Sequence, residues 1–348
     1  MNVIQSYVQG AKHKAIDKIC QDRTGYLHEK DVWAIALADG AGNPRYTHSE
    51  IGAEIVVNTI TKFFCDNFDL FYEKDDEAEL GKVVLTICRR ALNAKAEELG
   101  LDNISRLSST LLAVAVKEDR MVYCHIGDGV IGKNTQNGAV VLSAPDNGEY
   151  ANSTFFVTTR GAEDRMRIGK AKLDNETAFF LMSDGTSDYI YDEEHRAFYP
   201  AAEKMASLAA YRNGEKQLEE IIKEHMVNQD LTSDDCSFIC LSFAKETGTV
   251  IRDKKKSPYE YAKPAKNFVG KTESKAVKKE EANPTELNNK TTQKENKNEK
   301  HSLLLVTLLI ILLLAIAGTT FFVYKKISTS PETSTETSVT DNDVSGTD

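Results

Sequence analysis

The feature that most constrains this chain is an uninterrupted apolar run near its C-terminal end. The run extends from Leu303 to Val323 and holds no charged residue over 21 positions. At about 1.5 Å per residue, a helix of that length covers the roughly 30 Å hydrocarbon core of a bilayer. A buried core helix is the alternative interpretation, although core helices are seldom apolar on every face over such a length. The sequence therefore predicts one C-terminal transmembrane helix, over residues 303–324.

Charge divides the rest of the chain. Residues 1–250 carry 27 basic and 40 acidic side chains, whereas residues 251–302 carry 14 basic and 8 acidic ones. The basic stretch has too few apolar residues to fold alone, and the Ser/Thr-rich tail has no core-forming pattern. We therefore expect a folded domain over 1–247, a basic disordered linker over 248–302, the membrane span, and a short acidic tail over 325–348. The linker's lysines either contact anionic lipid or an acidic partner, or serve only as a solvated spacer.

The flanking sequence predicts the orientation in the membrane. More lysines precede the apolar run than follow it, and the N-terminus has no apolar segment of signal-peptide length. The six cysteines form no CxxC pair and lie in apolar runs, which is typical of free thiols in a reducing compartment. We expect a single-pass membrane protein with a cytoplasmic N-terminal domain. Because that domain is acidic, no nucleic-acid partner is expected.

The hydrophobic pattern before the linker predicts an α+β fold. Val32 to Ala38 has the length and composition of a buried strand, and two helical patterns follow, from Ser49 to about Asn67 and from about Asp76 to Leu99. A run of short strands comes next and is predicted to form one antiparallel meander. The meander begins with strands at Ser108–Val116 and Met121–Ile126. Further strands are predicted at Phe155–Thr158, Ala178–Met182 and Cys236–Phe243, and further helices at Ala201–Tyr211 and Glu215–Val227. Two antiparallel sheets flanked by helix pairs would use every element.

Acidic residues recur where the predicted strands end. The pairs Asp39-Gly40, Asp128-Gly129 and Asp184-Gly185 each terminate an apolar run. Asp-Gly is by default a hairpin turn, so the pairs alone have a simple structural interpretation. Carboxylates that converge in one cleft repel one another unless cations share it, and carboxylate oxygens suit Mg²⁺ or Mn²⁺. No zinc motif is present. Two divalent ions about 4 Å apart could activate a water molecule for phosphate ester hydrolysis.

Four segments together resemble a known family. They are ALADGAGN, SSTLLAVAV with HIGDGVIG, FFLMSDGTSD, and TSDDCSFICLSF, and their order is that of the metal-dependent type 2C serine/threonine protein phosphatases. The similarity extends over about residues 7–245. It implies a four-layer α-β-β-α sandwich, two or three Mg²⁺ or Mn²⁺ ions, and hydrolysis of phosphoserine and phosphothreonine in proteins. The expected partners are phosphorylated proteins, including a membrane serine/threonine kinase and its targets.

The resemblance also implies roles for single residues. Asp39 would bridge two metal ions, and Gly40 would offer its backbone carbonyl to one of them. Asp184 and Asp234 would complete the other ion's protein ligands, so that Asp39, Asp184 and Asp234 form the catalytic set. The remaining metal positions would be Asp22, which aligns with the second acid of the family's Glu-Asp pair, and Asp128 with Asp188, which align with a third-metal site. A turn, cap or surface role stays open for these last three aspartates.

The chain departs from the family pattern at four places. Gln21 replaces a carboxylate that normally helps to orient metal-bound water, which would lower metal affinity. Asp234-Asp235 replaces Asp-Asn, and register favours Asp234 as the ligand. Asn43 stands where a second glycine is customary, and the usual phosphate-contacting arginine has no clear match. Candidate replacements are Lys12, His13 and Lys14, which could equally form a solvated face.

Two further alternatives are left open by the sequence. His125 lies in an apolar strand beside the Asp128 turn, and a structural histidine and a proton donor are both compatible with that position. A phosphatase fold that acts as a membrane signalling sensor or binding module with weak catalysis is the alternative to an enzyme. Gln21 and the missing phosphate contact favour that alternative.

Overall fold

The computed structural model describes residues 1–146, 154–228 and 233–249. The predicted membrane span and tail, and all but two residues of the predicted linker, lie outside these ranges. Within them, no helix is both long enough and apolar enough to cross a membrane. Thr247 still hydrogen-bonds to the carbonyl of Ala210 at 2.7 Å, so the folded part continues at least to this residue.

In the described ranges, twelve strands form two five-stranded sheets and one short hairpin. They are β1 (Asn2–Val8), β2 (Arg23–Glu29), β3 (Val32–Ala38), β4 (Leu111–Lys117), β5 (Arg120–Ile126), β6 (Val130–Thr135), β7 (Gly138–Ser143), β8 (Arg167–Lys172), β9 (Glu176–Met182), β10 (Tyr191–Asp192), β11 (Ala197–Phe198) and β12 (Cys236–Ser242). The first sheet has the order β1-β12-β9-β6-β7 and the second β2-β3-β4-β5-β8, while β10 pairs with β11. Every strand pair is antiparallel.

The helices flank the two sheets. They are α1 (Ala11–Ala15), α2 (Ser49–Glu73), α3 (Glu77–Glu98), α4 (Asp184–Ile190), α5 (Pro200–Ser207) and α6 (Gly214–Ile222). Helix α3 begins with the side chain of Asp76 accepting the N–H of Glu79 at 2.9 Å. It ends at Glu98, two residues before Gly100, whose φ of 66° is the left-handed conformation that ends helices. Helix α2 has non-helical backbone angles at Asn67.

Side chains along each strand point alternately to its two faces, and the buried ones form three layers. In β3, Ala34 and Ala36 face α2 and α3, whereas Ile35 and Leu37 face the other sheet. The small alanines on the helix side allow close approach of the two long helices. On the first sheet, Phe180 and Phe238 face α5 and α6, while Leu181 and Ile239 join the layer between the sheets. The predicted four-layer arrangement of two antiparallel sheets with flanking helices is confirmed.

Several local predictions were wrong. The strands from β4 to β7 are not one meander, because β4 and β5 belong to the second sheet and β6 and β7 to the first. Residues 155–158 form no strand, and β1, β2 and β8 were not predicted. Ser49 is not the cap of α2 but its first residue, preceded by His48. The chain crosses between the sheets at Gly127 to Gly129, and this crossing positions one of the candidate metal ligands.

Candidate metal centre

Asp39 and Gly40 follow directly from β3, at one end of the second sheet. The Asp39 N–H donates to Thr110 Oγ1 at 2.9 Å, and the Thr110 N–H donates to the Asp39 carbonyl at 2.9 Å. These reciprocal bonds fix the end of β3 against the start of β4. A Cβ atom on Gly40 would lie 2.8 Å from the Gln21 carbonyl oxygen, so only glycine fits here.

Asp128 lies at the crossing from β5 to β6. Gly127 has a φ of 120°, and a Cβ atom there would lie 2.5 Å from the Thr110 side chain. A chain that turns this tightly requires glycine, which explains the first half of the Gly-Asp-Gly sequence. The Thr154 hydroxyl donates to Asp128 Oδ2, while Asp128 Oδ1 is buried and has no hydrogen-bond partner among the described residues.

Asp184 begins α4, immediately after β9. Its Oδ1 accepts the N–H of Gly185 at 2.6 Å. Because β9 pairs with both β12 and β6, the end of β9 lies between the strands that follow Asp234 and Asp128. The topology therefore brings three acidic strand ends together, which the sequence alone could only suggest.

Asp39 lies in the same cleft as Asp128 and Asp184. Carboxylate oxygens of Asp39, Asp128 and Asp184 all lie within 4.8 Å of one another. Asp39 and Asp184, together with Asp128 and Asp234, line a cavity of about 580 Å³. Burial, followed by repulsion from Asp22 and the other cleft carboxylates, holds the pKa of Asp39 well above its usual range. Burial and then repulsion from Asp128 and Asp234 raise the pKa of Asp184 in the same way.

Asp22 lies behind this group and is 1% exposed. Neither of its carboxylate oxygens has a hydrogen-bond partner within the described ranges. Burial, and then repulsion from Asp235, raises the pKa of Asp22 to about 7, against the opposing effect of the nearby Ser237 and Ser183 hydroxyls. An unpartnered buried carboxylate is costly, and a cation in the adjacent cleft would offset that cost.

The adjacent aspartates before β12 have different environments. Asp234 lines the cleft and has a side chain that is 54% exposed. Asp235 is 2% exposed and accepts the N–H groups of Gly10 at 2.8 Å and Gln21 at 2.6 Å. Its Oδ1 also lies 2.9 Å from His13 Nδ1. Burial acts to raise the pKa of Asp235, but the contacts with His13 and the two N–H groups outweigh it and lower the pKa.

Other residues singled out in the sequence lie outside the three-carboxylate group. Asp188 is exposed on α4 and is not among the residues that line the cleft. His13 is buried against Asp235, whereas Lys12 and Lys14 are exposed and do not line the cleft. His125 is fully buried, with Nδ1 2.9 Å from the Ser143 hydroxyl. Burial, aided by Arg167, holds the pKa of His125 well below its usual range, as expected of a structural histidine.

The side chain of Gln21 takes part in local packing. Its Nε2 donates to the Ala41 carbonyl at 3.1 Å and to the Ser49 hydroxyl at the start of α2. The residue is 2% exposed and does not line the cleft. Gln21 therefore has a structural role that joins the loop before β2 to the loop after β3.

Sequence reasoning missed the rim of the cleft. Arg45 and Tyr46 line it from the loop after β3, and Thr154, Phe156 and Thr159 line it from the segment before β8. Exposed turn residues carry no periodic pattern, so only the Asn43-Pro44 pair, a common turn sequence, marked this loop.

Most of the folded domain matches the model of one protein family. Residues 9–223, more than half of the chain, match the family model described as "Protein phosphatase 2C". The chain belongs to the protein phosphatase 2C family. The matched range contains Asp22, Asp39, Asp128 and Asp184 and ends before Asp234. Metal dependence is general to protein phosphatases 2C, and the acidic group described above is present in this member.

Individual relatives are more distant. The chain is 28% identical over 170 residues to serine/threonine-protein phosphatase 3 of Escherichia coli strain K12. That alignment covers 45% of this chain and 62% of the relative, so the chain spans less than two thirds of that protein's length. Among solved protein phosphatase structures, a bacterial serine phosphatase is 14% identical, with a TM-score of 0.49 over 72% of this chain and 100% of that one. The serine/threonine phosphatase Stp1 from Staphylococcus aureus is 14% identical, with a TM-score of 0.45 over 70% of this chain and 95% of that one. These structural scores are too low to argue from.

Proposed function

We propose that the chain hydrolyses phosphoserine and phosphothreonine in proteins, using two Mg²⁺ or Mn²⁺ ions held in the acidic cleft. The observation that carries this proposal is the convergence of Asp39, Asp128 and Asp184, whose oxygens lie within 4.8 Å of one another in an open cavity. Family membership favours the same activity.

The residues present fit divalent cations. The donors are carboxylate oxygens, which are the ligands that Mg²⁺ and Mn²⁺ prefer, and the described residues offer no cysteine or histidine among those that line the cleft. Asp128 Oδ1 and both oxygens of Asp22 are buried without a hydrogen-bond partner among the described residues. Burial, followed by mutual repulsion, raises the pKa of Asp39 and Asp184, and cations would relieve the repulsion.

Each acidic residue then has a proposed role. Asp39 would hold both ions, Gly40 would contribute its carbonyl to one of them, and Asp184 and Asp234 would hold the other. Asp22 supports the group from behind. When bound, the ions supply an activated water and stabilise negative charge on the phosphoryl group. A third ion would be held at Asp128, and Asp188 remains a proposed ligand for it.

The proposed cellular setting follows from the sequence. The apolar run from Leu303 to Val323 anchors the chain, and the domain lies on the cytoplasmic side. Tethering raises the effective concentration of the domain near phosphorylated membrane proteins, including a serine/threonine kinase and its targets. The net acidic charge of residues 1–250 disfavours nucleic acid as a partner.

The alternative of a binding module with weak catalysis gains little from the structure. That alternative rested in part on Gln21, whose amide is bonded to Ala41 and Ser49 as part of the fold.

The experiment that tests the proposal is phosphate release from a phosphothreonine peptide by the full chain, with and without Mn²⁺. We expect turnover that requires Mn²⁺ and that falls by at least about 100-fold in Asp39→Asn, because a ligand shared by both ions is lost. The matched control is Asp102→Asn, which changes an exposed aspartate whose ion pair in the described residues is with Arg106 on the surface. Metal-independent binding of phosphoproteins without turnover would instead support the binding module.

A further inference from the structure

Arg45 is the one cation among the described residues that line the cleft, which also presents four carboxylates. No ion pair joins Arg45 to a carboxylate within the described residues. Arg45 pairs with none of the four carboxylates in the described residues, so its guanidinium can bind an anionic ligand instead. A dianionic phosphoryl group is the ligand that such a guanidinium fits best, since its planar fork matches phosphate oxygens.

The local backbone presents Arg45 in a defined way. Asn43 Oδ1 accepts the Arg45 N–H at 3.1 Å, and the Asn43 carbonyl accepts the Tyr46 N–H at 2.9 Å. Asn43 thus forms the turn that carries both rim residues. The residue that departs from the family's customary glycine is therefore the one that orients the arginine.

Aromatic packing also holds the guanidinium. Arg45 Cζ lies 4.5 Å from the centre of the Tyr46 ring, and an Arg45 N–H donates to the Tyr46 hydroxyl. The Tyr46 ring in turn packs edge-on against Phe156, with 5.6 Å between ring centres. A stacked arginine loses less conformational entropy when it binds a ligand than a free one does. The rim is thus ordered before substrate arrives.

Two other cations near the cleft already have partners in the structure. Lys18 Nζ donates to the Gly42 carbonyl at 2.7 Å, and burial lowers its pKa despite the carboxylates around it. His13 contacts Asp235 inside the domain. Neither of these two lines the cleft, whereas Arg45 does.

We propose that Arg45 binds the phosphoryl group of the substrate at the rim of the cleft, with Tyr46 holding its guanidinium in place. The proposal rests on the proposed function and names the residue that replaces the family's missing phosphate-contacting arginine. It follows that lysine should replace Arg45 poorly. A lysine ammonium group cannot donate two parallel hydrogen bonds to a phosphate, and it has no planar group to stack on Tyr46.

The test measures the affinity of inorganic phosphate for the Mn²⁺-loaded full chain by calorimetry, which does not depend on turnover. For Arg45→Ala we expect the dissociation constant to rise by about tenfold or more, with Arg45→Lys recovering only part of the loss and Tyr46→Leu causing a smaller rise. Mn²⁺ affinity should be unchanged. The matched control is Arg90→Ala, an exposed arginine on α3.

Steady-state kinetics separates a phosphate contact from a peptide contact. We expect KM for p-nitrophenyl phosphate and for a phosphothreonine peptide to rise by the same factor in Arg45→Ala, with a smaller fall in kcat. Unchanged phosphate affinity in that variant would overturn the proposal. So would a rise in KM confined to the peptide, since Arg45 would then contact the peptide chain. If the wild-type chain binds phosphate through Arg45 but shows no turnover, the proposed function fails and this inference stands.

Discussion

Asp234 and Asp235 are neighbours in sequence and have opposite environments. The Asp234 side chain is 54% exposed at the cleft, whereas Asp235 is 2% exposed and accepts two backbone N–H groups from the loop before β2 and from the residue before α1. Asp234 faces the cleft, whereas Asp235 bonds two parts of the backbone together. Substituting the two aspartates one at a time therefore distinguishes effects on metal binding from effects on stability.

Asp235→Ala should destabilise the chain and Asp234→Ala should not. Removing Asp235 leaves the N–H groups of Gly10 and Gln21 buried without an acceptor, so we expect the free energy of unfolding to fall by about 3 kcal/mol. Asp234→Ala should change it by less than about 1 kcal/mol, since its side chain is half exposed, but should weaken Mn²⁺ binding by about tenfold or more. Urea unfolding without metal and Mn²⁺ calorimetry would measure the two effects. Equal destabilisation by both substitutions would contradict this assignment.

Gln21→Glu should not improve metal binding, although it restores the carboxylate that the family pattern has. The Gln21 Nε2 group donates to the Ala41 carbonyl and the Ser49 hydroxyl, and a glutamate would place an acceptor against that carbonyl. We expect a loss of about 1–3 kcal/mol in the free energy of unfolding and unchanged Mn²⁺ affinity. Thermal unfolding without Mn²⁺ measures the loss of stability, and the shift that Mn²⁺ causes in the unfolding temperature measures the metal affinity. Tighter Mn²⁺ binding at unchanged stability would mean that residue 21 faces the metal.

Without divalent ions, the chain should lose stability as the pH rises from about 4 to about 7. The folded-state pKa of Asp22 is raised to about 7 from an ordinary 3.8, so between these values the folded state binds more protons than the unfolded state does. Stability therefore falls with rising pH in this window, by at most about 4 kcal/mol from this group. Denaturant midpoints in EDTA at pH 4.5, 6 and 7.5 measure the effect. Asp22→Asn should flatten the profile, and an equally steep profile in that variant would assign the dependence to other groups.

Gly40→Ala should be damaging and Gly42→Ala harmless, although both glycines line the cleft. A Cβ atom on Gly40 would meet backbone atoms of Gln21 and Ser49 at 2.8 to 2.9 Å, whereas one on Gly42 would meet nothing within 4 Å. We expect Gly40→Ala to lower the free energy of unfolding by about 2 kcal/mol or more and to weaken Mn²⁺ binding. Gly42→Ala should match the wild type in both measurements. Loss of stability in Gly42→Ala would point to a contact of that loop beyond the described residues.

The sequence predicted the central strands well and missed edge strands. Val32 to Ala38 was predicted with the bounds of β3, because a strand buried on both faces is a continuous apolar run. Of the strands that were not predicted, β1, β2 and β8 each lie at the edge of a five-stranded sheet. In β2, no residue is fully buried, so its sequence RTGYLHE lacks a strong strand pattern.

Local sequence also could not reveal which strands share a sheet. A chain that turns at Gly127 either forms a hairpin or crosses to another sheet, and both use the same residue types. For the same reason, the aspartates after β3, β5 and β9 could be recognised as strand ends, while their mutual distance came only with the fold. Arg45 was missed because an exposed charge in a turn resembles any solvated side chain.

The measurement that tests the central claim most directly is calorimetric titration of Mn²⁺ into the full chain and into Asp39→Asn. The account predicts saturable binding of two ions per wild-type chain, with a third as a weaker step, and loss of the tight binding in the variant. Absence of Mn²⁺ uptake by the wild-type chain, or equal uptake by the two proteins, would contradict it.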